Sequence, residues 1–160
     1  MDTSTTKRDE LQLAIFVIGS EEFGVEISQV IEIIKITSIT PIPKASSFVE
    51  GVMDLRGKIL PVIDLSKRLN LKGRPHSEKT RIVVVEIENN IVGMIVDEVT
   101  EVLRLSKENI ESIPHILGSS KEHSCIRGVG KVGNQRLLIV IDLAEVLSSQ
   151  EIEMIKKITQ

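Results

Sequence analysis

The sequence predicts an all-β protein: two related, small antiparallel barrels, accompanied by short helices. Two positive observations and one scarcity carry that prediction. The apolar runs are short, rich in Ile and Val, and bounded by turn residues. The chain contains a divergent internal repeat. Helical periodicity is confined to a few brief stretches.

The repeat sets the organisation. Phe23-Gly24-Val25-Glu26-Ile27-Ser28-Gln29-Val30-Ile31-Glu32-Ile33-Ile34 lies over Val92-Gly93-Met94-Ile95-Val96-Asp97-Glu98-Val99-Thr100-Glu101-Val102-Leu103, an offset of 69 (93 − 24). Gly51-Val52 matches Gly128-Val129, and Val62-Ile63-Asp64-Leu65 matches Val140-Ile141-Asp142-Leu143, at offsets of 77 and 78. The growth in offset requires extra length in the second copy. Residues 115–124, after Ile113-Pro114, supply it, because loops absorb insertions at low cost. Two subdomains are expected, at about 11–73 and 79–147 within a unit spanning 11–150. A half of about 65 residues is marginal alone, so the two should pack together and leave a groove between them.

In chain order, residues 1–10 are polar and are expected as a flexible tail without a signal peptide. Residues 13–18 form the first strand, and Ser20 to Glu22 a turn. Arg56-Gly57-Lys58 is turn chemistry leading into a strand at 59–63. Asp64 caps a short helix on which Leu65 and Leu69 share one face. Residues 81–87 and 91–96 read as a hairpin through Asn89-Asn90. Gly133-Asn134-Gln135 precedes a strand at 136–141, and Asp142 caps a second short helix ending near Leu147. A terminal helix over 148–160 turns Ile152, Ile155 and Ile158 inward. Its acids come first (Glu151, Glu153) and its bases last (Lys156, Lys157), as the helix dipole favours.

Composition excludes several functions. Acids and bases are interspersed, net charge is −3, and aromatics are 2%. Neither a phosphate-neutralising stripe nor a base-stacking platform is available, so nucleic acid is not an expected partner. Anionic lipid is disfavoured for the same reason. No apolar run approaches the roughly 20 residues of a bilayer span. The single cysteine, Cys125, permits no disulfide within the chain, which fits a reducing, cytoplasmic compartment.

The search for chemistry points away from catalysis. Asp64 and Asp142 are repeat-equivalent, as paired catalytic aspartates in a duplicated enzyme would be. Each is instead followed by a helix-like pattern, and the N-cap reading takes precedence. His115, His123 and Cys125 share a loop, but no four-ligand zinc spacing accompanies them, and Cys125 reads as a small core residue. Gly51 and Gly57-Lys58 enclose five residues and are followed by Ile59, which departs from the phosphate-loop pattern. No catalytic residues, cofactor or metal are expected.

The block Phe48-Val49-Glu50-Gly51-Val52-Met53-Asp54-Leu55-Arg56-Gly57-Lys58-Ile59-Leu60-Pro61-Val62-Ile63-Asp64-Leu65 resembles the CheW family signature F-x-x-G-V-x-N-L-R-G-x-I-x-P-V-x-D-L. Ile91 to Val99 is similar to its x-x-G-x-x-V-D-x-V, and Val30-Ile31-Glu32-Ile33 to its V-x-E-I. The resemblance covers about residues 12–150. Asp54 stands where the family usually has Asn, and both are turn formers. Neither a kinase ATP-binding segment nor a receiver domain is visible, so the likeness is to the stand-alone type rather than to CheA or CheV.

That resemblance implies two five-stranded SH3-like barrels and a non-enzymatic adaptor coupling methyl-accepting chemoreceptor tips to the regulatory domain of the histidine kinase CheA. It implies receptor contacts at Val30, Glu32 and Arg56. Gly51, Gly57 and Gly93 join this set as backbone requirements, and Val99 and Val102 as residues lining the groove. The apolar, turn-rich segment with Ile39, Pro41, Ile42 and Pro43 is the expected kinase contact. The protein is expected to be monomeric alone, cytoplasmic, without membrane insertion, and recruited to receptor arrays. Two alternatives stand beside this reading. One is an interaction module of another two-component pathway, such as pilus motility. The other is an enzyme using the paired aspartates or the His115/His123/Cys125 loop.

Overall fold

The computed structural model describes residues 9–43, 45–112 and 125–158. Its strands are β1 (Glu10–Ile18), β2 (Glu21–Glu26), β3 (Val30–Lys35), β4 (Val49–Leu55), β5 (Lys58–Asp64), β6 (Arg81–Ile87), β7 (Asn90–Val96), β8 (Glu98–Ser106), β9 (Ile110–Glu111), β10 (Ile126–Val132) and β11 (Arg136–Ile141). Among the described residues two α-helices, α1 (Leu65–Arg68) and α2 (Ser149–Ile158), join them. The strands form two curled sheets, in the orders β8-β1-β2-β11-β10-β9 and β3-β6-β7-β5-β4. Each has five long strands, and the two-residue β9 extends the first. The protein is all-β in class, a pair of SH3-like barrels.

The repeat and the sheets do not coincide. The β1–β2 hairpin of the first half sits between β8 and β11 of the second. The β6–β7 hairpin of the second half sits between β3 and β5 of the first. The halves expected at 11–73 and 79–147 thus each contribute strands to both sheets, exchanging hairpins, and neither is a separate sheet. The exchanged hairpins attach through parallel pairings, Val140↔Gly24 and Val62↔Gly93, which are equivalent in the repeat.

A short connection explains the exchange. Asp97 alone joins β7 to β8. For β8 to lie in its own half, beside β6, it would have to cross two strand spacings, about 9.5 Å. One linking residue spans about 7.6 Å at most. The chain instead runs straight on into the other sheet. Asp97, 8% exposed, accepts hydrogen bonds from the Gly19 and Arg74 amides at 2.7 and 2.9 Å and so anchors the β1–β2 turn at the crossing.

Strand alternation divides the apolar residues among three clusters. Leu13 and Ile15 pack inside the first sheet with Leu105, Leu138 and Val140. Met53, Leu60, Val62, Ile82, Val84 and Ile95 fill the second. The other faces, with Phe16, Phe23, Val83, Met94, Leu65 and Leu143, make one core shared by both sheets. Burial on both faces is why β1 and β6 read as unbroken apolar runs.

Two turns lie one residue or so from their expected places. The first is Gly19-Ser20, with Gly19 at φ 63°, because β2 already begins at Glu21. The β6–β7 turn is Glu88-Asn89, both at positive φ as a two-residue hairpin requires. The helix expected over 148–160 spans Ser149–Ile158 and buries Ile152 and Ile155. It starts with a reciprocal cap: the Ser148 amide donates to Glu151 Oε1 at 2.7 Å, and the Glu151 amide to Ser148 Oγ at 3.2 Å. Arg68 pairs with Glu151 at 3.2 Å and lies over the Phe48 ring, fixing α2 against α1. Among the described residues, no helix is long and apolar enough to cross a membrane.

Candidate interaction groove

The two walls of the groove are the outer strands β3 and β8, one from each sheet and equivalent in the repeat. Each pairs on one side only, β3 with β6 and β8 with β1. Between them lies a groove of about 370 Å³, lined by Ala14, Ile27, Val30, Ile31, Glu32, Ile33, Val99, Thr100, Glu101 and Val102. Three of its apolar residues are open: Ile31 is 51% exposed, Val102 49% and Ile33 40%. These three half-exposed aliphatic side chains form an apolar patch along the groove.

Alternation along β3 turns Glu32 away from Ile31 and Ile33. There it meets Arg56, whose two terminal nitrogens donate to Glu32 Oε1 and Oε2 at 3.1 and 2.5 Å. This forked hydrogen bond holds the Glu32 carboxyl below the usual glutamate range and raises the guanidinium. Arg56 stands on the β4–β5 turn at φ 50°, followed by Gly57 at φ 87°. Asp54 accepts the Gly57 amide at 2.8 Å, the turn role that a side-chain amide oxygen would serve equally. Because β3 and β4 are the two outer strands of the second sheet, the pair spans the open side of that barrel. Beside it opens a second depression, about 280 Å³, lined by Ile31, Glu32, Leu55, Arg56, Lys58, Val84 and Ile91.

The first sheet carries a matching arrangement that sequence reading did not find. Arg136 donates to both oxygens of Glu22 at 3.0 and 2.6 Å and to Glu101 at 2.9 Å. Glu101 is the repeat equivalent of Glu32 (101 − 32 = 69). That equivalence was the available signal; the arginines come from different positions around equivalent turns, so their likeness is not visible in an alignment of the halves.

The groove lining thus includes Val30, Glu32, Val99 and Val102, while Arg56 lines the depression beside it. Gly57 shapes the turn that presents Arg56. Gly51 and Gly93 are buried and add no surface. A Cβ on Gly51, at φ 143°, would stand 2.0 Å from the Thr40 carbonyl oxygen, and one on Gly93 2.7 Å from Ile82 Cγ2. Both glycines permit close packing within the second sheet. Ile39, Pro41, Ile42 and Pro43 sit apart from the groove on a segment held to β4 by the Thr40–Val52 bridge. Pro41 and Pro43 are exposed, Ile39 and Ile42 half-buried.

The residues considered for chemistry have structural occupations. Asp64 Oδ1 accepts the Ser66 and Lys67 amides at 3.0 and 3.4 Å, and Asp142 Oδ1 accepts the Ala144 amide at 2.9 Å. Both are helix-turn caps, as expected. Cys125 is 1% exposed, and burial pushes its thiol up, away from the reactive thiolate. His115 and His123 lie outside the described residues. Among the described residues, no group of three or more His, Cys, Asp or Glu is placed to hold a metal ion.

Comparison with known proteins supplies the context for this geometry. The family model described as CheW-like domain matches residues 12–151. The chain is 37% identical to a chemotaxis protein CheW of Rhizobium meliloti, across 89% of this chain and 90% of the relative. It is 33% identical to that of Klebsiella aerogenes, across 93% and 89%. The crystal structure of the scaffolding protein TtCheW from Thermoanaerobacter tengcongensis superposes with a TM-score of 0.78 at 35% identity, covering 88% of this chain and 90% of that one.

Proposed function

The chain belongs to the CheW family, and from that premise we propose that it is a chemotaxis scaffold joining receptors to their kinase. The observation that carries the reading is the exposed apolar groove between β3 and β8, with Arg56 in the depression beside it. In our reading the groove receives the cytoplasmic tip of a methyl-accepting chemoreceptor. Burying the half-exposed Ile31, Ile33 and Val102 would stabilise such a complex by about 1 kcal/mol each. Arg56, its side chain 70% exposed, pairs with a receptor carboxylate by the same fork that now holds Glu32.

The regulatory domain of the kinase CheA then docks on the segment with Ile39, Pro41, Ile42 and Pro43, away from the groove. One chain thereby contacts both partners at once. The protein works by binding, not catalysis; the capping roles of Asp64 and Asp142 and the buried thiol of Cys125 support this. It acts in the cytoplasm, is monomeric alone, and reaches the membrane only through receptor arrays.

The test is a pull-down with a receptor tip fragment and the CheA regulatory domain, comparing wild type with Arg56→Glu. The variant sets two carboxylates side by side in the depression next to the groove. Ternary binding by wild type, with receptor binding lost and kinase binding kept in the variant, supports the bridge. Folded wild-type protein that binds neither partner refutes it.

A further inference from the structure

We infer that Arg136 is a second positioning residue of the groove, fixing the β8 wall as Arg56 fixes the β3 wall. The inference rests on the groove being the receptor site. Both walls are weak at the same point. The β3–β6 ladder shifts register between Val30 and Glu32, so Ile31 is bulged out. The β1–β8 ladder shifts opposite Val99 and Glu101, so Thr100, the repeat equivalent of Ile31, is bulged out. A bulge bends an outer strand and interrupts its pairing, and neither strand has a neighbour on its other side.

Next to each bulge stands a glutamate held by an arginine from the hairpin that closes the same sheet. For β3 it is Glu32 with Arg56, from the β4–β5 turn. For β8 it is Glu101 with Arg136, from the first residue of β11. The second clamp is the firmer one. Arg136 makes three charge-assisted hydrogen bonds and reaches Glu22 on β2 as well as Glu101. Its side chain is 32% exposed against 70% for Arg56. Arg136 therefore ties the wall to the middle of its sheet and sets the place of Val102, without itself lining the groove.

The experiment uses the full chain as wild type, Arg136→Gln, Arg136→Lys and Arg56→Gln. Amide hydrogen exchange is followed over 98–103 and 30–35, with affinity for a receptor tip fragment measured in parallel. Loss of the Arg136 clamp should speed exchange over 98–103 about tenfold, leave 30–35 within about twofold, and weaken tip binding about tenfold. Arg56→Gln should do the reverse in exchange. Arg136→Lys keeps the charge without the fork and should fall between. Equal acceleration of both segments, unchanged exchange over 98–103, or a loosened β8 with full tip affinity would each overturn the inference. If wild type fails to bind the tip, the receptor reading falls, and the exchange pattern still decides whether Arg136 holds β8.

Discussion

Asp142→Ala should destabilise the protein about two to four times as much as Asp64→Ala, although the two aspartates occupy the same place in the repeat. Asp64 serves only its own turn: its contacts are the Ser66 amide and hydroxyl and the Lys67 amide. Losing such a cap costs about 1 kcal/mol. Asp142, 8% exposed, caps its turn and also accepts from Gln29 Nε2 at 2.6 Å and from Arg127. Gln29 in turn accepts the Leu143 amide at 3.1 Å. This node ties the end of β11 to the residue just before β3. Its removal adds a stranded, half-buried Gln29 donor, about 1–3 kcal/mol, to the lost cap. The exposed Arg127 contributes little.

The expected total is about 2–4 kcal/mol, a fall in Tm of about 4–16 °C, against about 2–4 °C for Asp64→Ala. Thermal and urea melts of the two variants measure it. Gln29→Ala in the Asp142→Ala background should cost less than in wild type, since the amide is already stranded. The pH dependence has a definite sign. Burial pushes the Asp142 carboxyl up, but hydrogen bonds from Gln29, Arg127 and the Ala144 amide outweigh it and hold the group below its ordinary value. Its contribution is whole above the unfolded pKa of about 3.9 and is lost as pH falls through the lowered native value. The deficit of Asp142→Ala should thus be constant from neutral pH to about 5 and narrow only in stronger acid. An equal or larger loss in Asp64→Ala, or strict additivity with Gln29→Ala, would refute the reasoning.

Two further outcomes follow from local geometry. Gly51→Ala forces a Cβ into the Thr40 carbonyl across the bridge to Val52 and should cost about 2–3 kcal/mol, whereas Gly57→Ala, with nothing within 4 Å of the new Cβ, should cost about 1 kcal/mol for its positive φ; equal melting temperatures would contradict this. Cys125 should resist a thiol reagent at pH 8 in the folded protein and react fully in denaturant, and rapid native labelling would show that burial does not govern it.

Much of the architecture was legible because it depends on local chemistry. The Arg56-Gly57 turn, both aspartate caps and the inward Ile152 and Ile155 each follow from a few neighbouring residues. Strands β3 and β8 were harder to read. In Val30-Ile31-Glu32-Ile33-Ile34, apolar residues occupy both faces, because one faces the barrel and the other the open groove, and a bulge at Ile31 interrupts the pairing with β6. Val30 entered through the family resemblance and Val99 and Val102 as expected groove residues, and all three line the groove. The Arg136 clamp was not legible, since its partners Glu22 and Glu101 lie 114 and 35 residues away. Hairpin exchange leaves no trace in the periodicity, which is the same for exchanged and unexchanged halves; only the one-residue link at Asp97 separates them.

That link makes the two halves interdependent in a way that cutting the chain can test. A fragment of residues 1–76 retains β1 to β5 but loses β6 and β7 from the middle of the second sheet. There β3 loses its one partner strand, and only the β1–β2 and β4–β5 hairpins remain paired. The fragment of residues 77–160 keeps the β6–β7 hairpin and β10–β11 with the two-residue β9. Isolated hairpins are marginal in water, so neither fragment should show a cooperative melt by circular dichroism. Mixing the two should restore both sheets, with melting that depends on concentration as for any bimolecular fold. A cooperative transition in either fragment alone would mean that a hairpin can return to its own half, and that the reach of a single residue at Asp97 does not set the topology.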